Sequence, residues 1–294
     1  PHARIESIST QKAAAHSGVV AILTRDDVKD MNPFYGNCLR DRALVALDKV
    51  RFVGEPVAVV AAEDPLIAEE ALALIDVRYQ ELPCLGTVEN ALAAGAPLMH
   101  ESIAGTGEFH DIATVGAVMK PNVCHYEFFE RGDLTRGFAR ADQILEEAFE
   151  FPMIYQYAME PHTSVARVTD GGITLWSSSG HPFLVRSELP HMFGLPHAKV
   201  EVVVPYVGGA YGSKSYFKIE PLIVAMARKT AGRPVRLAQS VPGAMLTTRR
   251  HSATVRIKTG FKRDGTLVAR DAEVVMDTGA YADNGPRVAK RAIS

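Results

Sequence analysis

A chain of 294 residues, 47% hydrophobic and 22% charged, has material for two ordinary globular domains with a sizeable core. Its 32 basic and 34 acidic residues leave a formal net charge of −2, so it carries no electrostatic footprint for nucleic acid or an anionic membrane. Cys38, Cys84 and Cys124 are scattered with no C-x-x-C pair, which speaks against a structural zinc site or a cysteine-held iron–sulfur cluster. No stretch reaches about 18 consecutive apolar residues and Pro1-His2-Ala3-Arg4 opens no apolar leader, so a cytoplasmic chain is expected.

In chain order, GVVAIL (18–23), VGEPVAVVAA (53–62) and DVRYQEL (76–82) read as strands and DPLIAEEALALI (64–75) as a helix, which predicts a strand–helix–strand unit. Asp64 is placed to cap that helix and Pro65 suits its first position. Glu69 and Glu70 read as early enough to favour the positive end of its dipole. Residues 100–125 mix Gly, His, Thr and Asn without a period, which predicts a linker and a domain boundary near 110–122. Beyond it, VARVTD (165–170) and GITLWSSS (172–179) predict a hairpin about Gly171, and KVEVVVP (199–205) a buried strand. IEPLIVAMARKTAG (219–232) predicts a helix stopped by Gly232, so a mixed sheet with helices is expected. ATVRIKTGF (253–261) and TLVARDAEVVMDTG (266–279) flank Asp264-Gly265, a strong signal for a hairpin turn.

Between the buried strand and the helix lies VGGAYGSK (207–214). Glycine permits positive φ and close approach, so Gly208, Gly209, Ala210, Tyr211 and Gly212 are candidate ligand-facing backbone; a tight connection without a ligand explains such a loop equally well. The stretch is also a near miss to a P-loop. Ser213-Lys214-Ser215 follow Gly208 at the right distance and EVVMD (273–277) could supply an acidic strand, yet Ser213 stands where the phosphate cradle needs glycine.

His162, beside Glu160 in AMEPH, has no evident nucleophile or metal partner, which favours a structural role. Pro182 and Pro190 read as interrupting any helix through His181, His191 and His197, so those histidines are not expected to share a metal-binding face. Trp176, Tyr155 and Tyr157 read as core and edge packing rather than a substrate cage.

Several stretches, taken in order, carry a family resemblance. PHARIESIST (1–10), GVVAILT (18–24), DKVRFVGEPVAVVAAE (48–63) and VRYQELP (77–83) resemble the hammerhead domain of xanthine dehydrogenase/aldehyde oxidase family subunits. RGDLTRGFARADQILEEAFEFP (131–152), AMEPH (158–162), GLPHAKVEVVVPYVGGAYGSK (194–214), ARKTAGRPVRL (227–237), RRHSATVRIKTG (249–260) and DTGAYADNGP (277–286) resemble the first part of the cofactor domain that follows. The resemblance implies an α/β, mixed α+β fold: a hammerhead α/β domain at about 1–110, its N-terminal strands missing, then at 120–294 part of a larger mixed-sheet molybdopterin-binding domain.

It implies a molybdenum hydroxylase subunit, incomplete as this chain, that oxidises an aldehyde or N-heterocycle with water as oxygen donor. The cofactor is a molybdenum–pterin, either molybdopterin or its cytosine dinucleotide form, with no metal-ligating side chain. The expected partners are the remaining molybdopterin-binding chain, iron–sulfur clusters and FAD on other domains or subunits, and a small-molecule substrate, with neither nucleic acid nor membrane. The cofactor does the redox chemistry while protein supplies orientation and electrostatics.

Residue by residue, Gly208, Gly209, Ala210, Tyr211 and Gly212 fall on the family's glycine–phenylalanine motif beside the metal, with Tyr211 as an aromatic gate in place of phenylalanine. Arg250 falls on a position that contacts substrate in purine-oxidising members; a surface arginine paired with a carboxylate is the competing reading. Gly180 stands where the family often has a glutamine, and Ser215 where purine-oxidising members carry a glutamate, which argues against xanthine as substrate. The base glutamate and much of the pterin surface belong to sequence outside these 294 residues, so this chain alone is expected to hydroxylate nothing. Two alternatives stay open: a P-loop-like nucleotide binder, and a catalytically silent assembly or binding module of the same family.

Overall fold

The N-terminal part of the chain changes period often and accordingly folds into many short elements. A computed structural model describes residues 2–102 and 121–292, so the boundary expected near 110–122 falls almost wholly outside the described residues. In order come β1 (His2–Ser9), α1 (Gln11–Ala14), β2 (Val19–Leu23), β3 (Phe34–Tyr35), β4 (Arg42–Ala43), β5 (Lys49–Val50), β6 (Val59–Ala62), α2 (Pro65–Ala73), β7 (Asp76–Leu82) and α3 (Val88–Leu92). β1 is the centre of an antiparallel sheet between β5 and β7, whereas β2 and β6 form a separate antiparallel ribbon.

The expected strand–helix–strand succession is present as β6, α2 and β7, although β6 and β7 pair in different sheets. The strand expected from residue 53 forms only at β6, since Gly54 takes φ +110° and Pro56 offers no N–H to a ladder. α2 begins as its sequence dictates: the Asp64 carboxylate accepts the Leu66 N–H at 2.8 Å and Pro65 sits in the first turn. Glu69 and Glu70 fall beyond that first turn, too far along to serve the dipole, and Glu70 instead lies 3.3 Å from His16.

The second part runs α4 (Leu134–Ala139), β8 (Gln143–Phe151), β9 (Thr163–Thr169), β10 (Gly172–Ser177), α5 (Pro182–Phe193), β11 (Val200–Val203), α6 (Glu220–Ala227), β12 (Val235–Ala238), α7 (Val241–Thr247), β13 (Ser252–Phe261), β14 (Leu267–Asp277) and α8 (Gly285–Ala292). β11, β10, β9 and β12 form a mixed sheet in that order, parallel only between β10 and β11. All eight residues of α6 are buried against it, and Ala166, Leu175, Val185, Leu189 and Val224 lie at the centre of the core. Each fully covered leucine there contributes about 1.5–3 kcal/mol of apolar burial. β14, β13 and β8 make a second, antiparallel sheet. Its hairpin turns at Asp264-Gly265, where Gly265 has φ +87° and Asp264 Oδ1 accepts the Thr266 N–H at 2.9 Å.

α5 overturns the expectation that Pro182 and Pro190 break the helix. Pro182 occupies the first turn, where no N–H is needed, and Pro190 lies near the C-terminal end, so only one late helical bond is forfeited. Val185, Leu189, Pro190 and Met192 are buried, which offsets that loss, and Gly194 ends the helix at φ +63°.

Where the two parts meet, residues 280–283 are wedged against the N-terminal part by polar contacts. The Asp283 carbonyl accepts the Cys38 N–H at 3.1 Å, its carboxylate takes Asn37 at 3.2 Å and Lys218 at 2.7 Å, and Ala282 N–H donates to Asp41 at 2.6 Å. Tyr281 donates to Glu55, and Arg40 makes a two-pronged contact with Glu188 at 3.0 and 3.1 Å. Burial pushes the Asp41 carboxyl up to about 7, with the Ala282 N–H opposing and Asp283 adding to the rise. Asp283 is driven the other way. Burial alone would raise it, but Lys218 and Arg42 hold its carboxyl below the ordinary range.

Candidate cofactor-binding site

The loop after β11 is shaped by anchors at its two ends and by glycines between them. Gly208 N–H donates to Glu160 Oε2 at 2.7 Å, and Glu160 N–H donates back to the Gly208 carbonyl at 3.1 Å. At the far end Lys214 Nζ reaches the same Glu160 oxygen at 2.6 Å, Gly180 N–H donates to the Lys214 carbonyl at 2.8 Å, and His162 Nε2 donates to the Ser213 carbonyl at 3.0 Å. Ser213 also closes on the Ala210 carbonyl through its N–H at 2.8 Å and its hydroxyl at 2.7 Å.

Between these anchors the N–H groups of Gly209, Ala210, Tyr211 and Gly212 donate to no acceptor among the described residues. Gly209, Tyr211 and Gly212 have φ of +94°, +47° and +90°, the left-handed geometry from which backbone concavities for anions are built. A Cβ on Gly208 would meet Glu160 Cβ at 2.5 Å, so glycine is required there by close approach; one on Gly212 would meet nothing within 4 Å. These residues suit a group bound through backbone amides, not one ligated by side chains. Among the described residues no group of three His, Cys, Asp or Glu side chains is placed to hold a metal.

The order strand, glycine loop, helix holds, but residues 213–219 separate the glycines from the helix. α6 begins only at Glu220, whose buried carboxylate accepts Ser177 Oγ and Lys218 N–H, each at 2.6 Å.

Tyr211 is 74% exposed and its ring lies over Gly209, next to Ala158. Segment 155–160 thus runs beside 208–212, flanked by Tyr206 at 89% and Met159 at 96% exposure. Tyr155 is buried, as core packing requires. Tyr157 is exposed at φ +53° with its ring 5.1 Å from that of Tyr155, so it belongs to the open face. Trp176 stands half-buried on β10 opposite Val165 and Val203.

Arg250 is exposed; its guanidinium donates to the Pro152 carbonyl at 2.9 Å and its N–H to the Ile154 carbonyl at 2.7 Å. Its hydrogen-bond partner is thus a carbonyl and not a carboxylate, and no hydrogen bond links it to 208–212. His162 is buried beneath the loop. Burial lowers its pKa, which leaves a neutral ring serving as a structural donor. Glu160, read from the sequence beside His162 as a group without an evident partner, is paired with a lysine 54 residues away, a contact the sequence alone does not show.

The P-loop reading does not fit this geometry. Lys214, which would have to reach a phosphate, has a side chain 1% exposed and is neutralised by Glu160, while EVVMD lies on β14 in a different sheet from β11.

A mixed-sheet unit that offers free backbone amides on a glycine loop, with no metal-holding cluster of side chains among the described residues, is of the kind suited to binding a group through its backbone. Residues 117–294 match the family model for the molybdopterin cofactor-binding domain, and residues 1–83 that for the aldehyde oxidase and xanthine dehydrogenase a/b hammerhead domain. The chain belongs to the xanthine dehydrogenase/aldehyde oxidase family, and its second part is a molybdopterin cofactor-binding domain.

A probable xanthine dehydrogenase subunit of Bacillus subtilis is 37% identical over 290 residues, covering 98% of this chain and 36% of that protein. The nicotinate dehydrogenase large molybdopterin subunit of Eubacterium barkeri is 32% identical over 294 residues, covering 99% of this chain and 64% of that one. Aldehyde oxidoreductase from Desulfovibrio gigas superposes with a TM-score of 0.84 at 26% identity, over 99% of this chain and 31% of that chain. The chain therefore spans between about a third and two-thirds of the length of these relatives.

Proposed function

We propose that this chain forms the hammerhead and the first portion of the cofactor site in the large subunit of a molybdenum hydroxylase that oxidises an aldehyde or N-heterocycle with water as oxygen donor. The observation that carries the reading is the run of unspent amides at Gly209–Gly212 on a rigidly anchored loop, in a domain whose family binds molybdopterin. On this reading Gly208, Gly209, Ala210, Tyr211 and Gly212 face the cofactor, as molybdopterin or its cytosine dinucleotide. Tyr211 borders the substrate entrance, and Arg250 orients substrate once further chain is added. When bound, the molybdenum–pterin group supplies the two-electron oxidation, and the protein supplies orientation and fixed dipoles. The relatives' names span xanthine, nicotinate and aldehyde, and Ser215 in place of a glutamate favours a substrate other than a purine.

The partners on this reading are the remaining molybdopterin-binding polypeptide and iron–sulfur and FAD units. Phe128 and Phe129, and Leu145, Phe149 and Phe151 along one face of β8, are exposed apolar side chains that such a neighbour would cover. A division into a hammerhead unit at 1–110 and a cofactor unit at 120–294, in a cytoplasmic complex, completes the reading; among the described residues no helix is long and apolar enough to cross a membrane.

Metal and pterin analysis of the intact complex tests this. Molybdenum with a fluorescent pterin oxidation product, about one per large subunit, is the expected result. Their absence would mark a silent assembly module, and magnesium-dependent ATP binding would restore the nucleotide reading.

A further inference from the structure

We infer that Glu160 is a positioning residue for the cofactor loop: one carboxylate oxygen ties the first amide of the loop to the lysine that ends it, setting the loop's shape before any cofactor arrives. This rests on the proposed function above. The geometry is a closed ring. Glu160 Oε2 accepts Gly208 N–H at 2.7 Å and Lys214 Nζ at 2.6 Å, while the Glu160 N–H returns to the Gly208 carbonyl at 3.1 Å. Gly208 fits only because it lacks a Cβ, which would stand 2.5 Å from Glu160 Cβ. Charge-assisted bonds of this kind are about twice as strong as neutral ones.

The chemistry of the ring requires a carboxylate of this length. Lys214 is 1% exposed, so a neutral side chain at position 160 would leave its cation buried without compensation. Aspartate would be one methylene short of both donors. Burial alone would raise the Glu160 pKa, but Lys214 and the Gly208 N–H together lower it, so the carboxylate stays charged. His162, kept neutral by burial, adds the second anchor at Ser213 without competing for that charge. Since Glu160 spends its oxygen inward, Gly209–Gly212 keep their amides for a ligand.

The competing reading is that Glu160 only neutralises Lys214. Two variants of the full-length subunit within its complex separate the two: Glu160→Gln, and Glu160→Gln combined with Lys214→Met, which removes both charges and stays foldable if the single variant does not. Amide exchange at Gly208 and Ser213 is measured together with the thermal midpoint and the molybdopterin retained on dilution. Positioning predicts that the double variant recovers most of the thermal midpoint, while exchange at Gly208 and Ser213 stays about tenfold or more faster than wild type and pterin retention stays correspondingly low. Wild-type exchange and retention in the double variant would overturn the inference. A wild-type subunit free of pterin would instead sink the proposed function and leave the exchange result standing by itself.

Discussion

The loop at 206–214 and the junction at 280–283 are both irregular, and each is organised around a lysine–carboxylate pair, Lys214–Glu160 in one and Lys218–Asp283 in the other. They differ in what they do with the groups around the pair. At the junction, amides, carbonyls and side chains are spent across the interface, from Ala282 to Asp41, Cys38 to Asp283 and Tyr281 to Glu55. In the loop only the lysine of the pair is buried, and the amides of 209–212 are left unspent beside exposed Tyr206 and Tyr211. Polar groups paired across the junction hold the two parts together, whereas on the proposed reading the unpaired loop amides are what a ligand would meet.

The comparison is broken most severely by filling the close approach. Gly208→Val would drive Cβ into Glu160, with a strain cost of about 1–3 kcal/mol and a loss of bound pterin exceeding tenfold; the junction should be untouched, as exchange at the Ala282 amide would report. Lys218→Met should do the converse. It removes the paired cation of the largely buried Asp283 carboxylate and leaves Arg42 as the remaining opposing charge, at up to about 3 kcal/mol in urea unfolding, while the loop amides keep their wild-type exchange.

The pH response belongs to the junction. Asp41 has a folded pKa raised to about 7, above its unfolded value near 4, so its contribution is complete below about pH 4 and is lost as pH rises toward 7. Stability should therefore fall by at most about 1.4 kcal/mol per pH unit across that window, and Asp41→Asn should flatten the slope; an unchanged profile in that variant would place the titration elsewhere. The smallest effect is expected at Tyr211. Tyr211→Phe removes a hydroxyl from a ring that is mostly in solvent, so fold and pterin content should stay within about twofold of wild type, and only turnover with different substrates should separate the two.

Local chemistry made much of the scaffold readable: Asp64 and Pro65 start α2, Asp264-Gly265 turns the last hairpin, and alternation about Gly171 gives β9 and β10. What failed was non-local. Nothing within 53–82 says that β6 prefers β2 while β7 prefers β1, and Pro190 is tolerated in α5 because its neighbours are buried by distant strands. The glycine loop was visible as a site through its composition, but its shape was not, because it is set by Glu160, His162 and Gly180 arriving from other segments. Arg250 was legible as a cation, and its hold on the Pro152 carbonyl was not.

On the proposed reading the loop amides await the cofactor, whereas the junction amides are already used. Millisecond amide exchange on the full-length subunit, with and without molybdopterin, tests it most directly. Gly209, Ala210, Tyr211 and Gly212 are expected to exchange at nearly unprotected rates in the cofactor-free protein and to slow by at least tenfold on loading, while Ala282 remains protected in both states. Unchanged exchange across 209–212 on loading would contradict it.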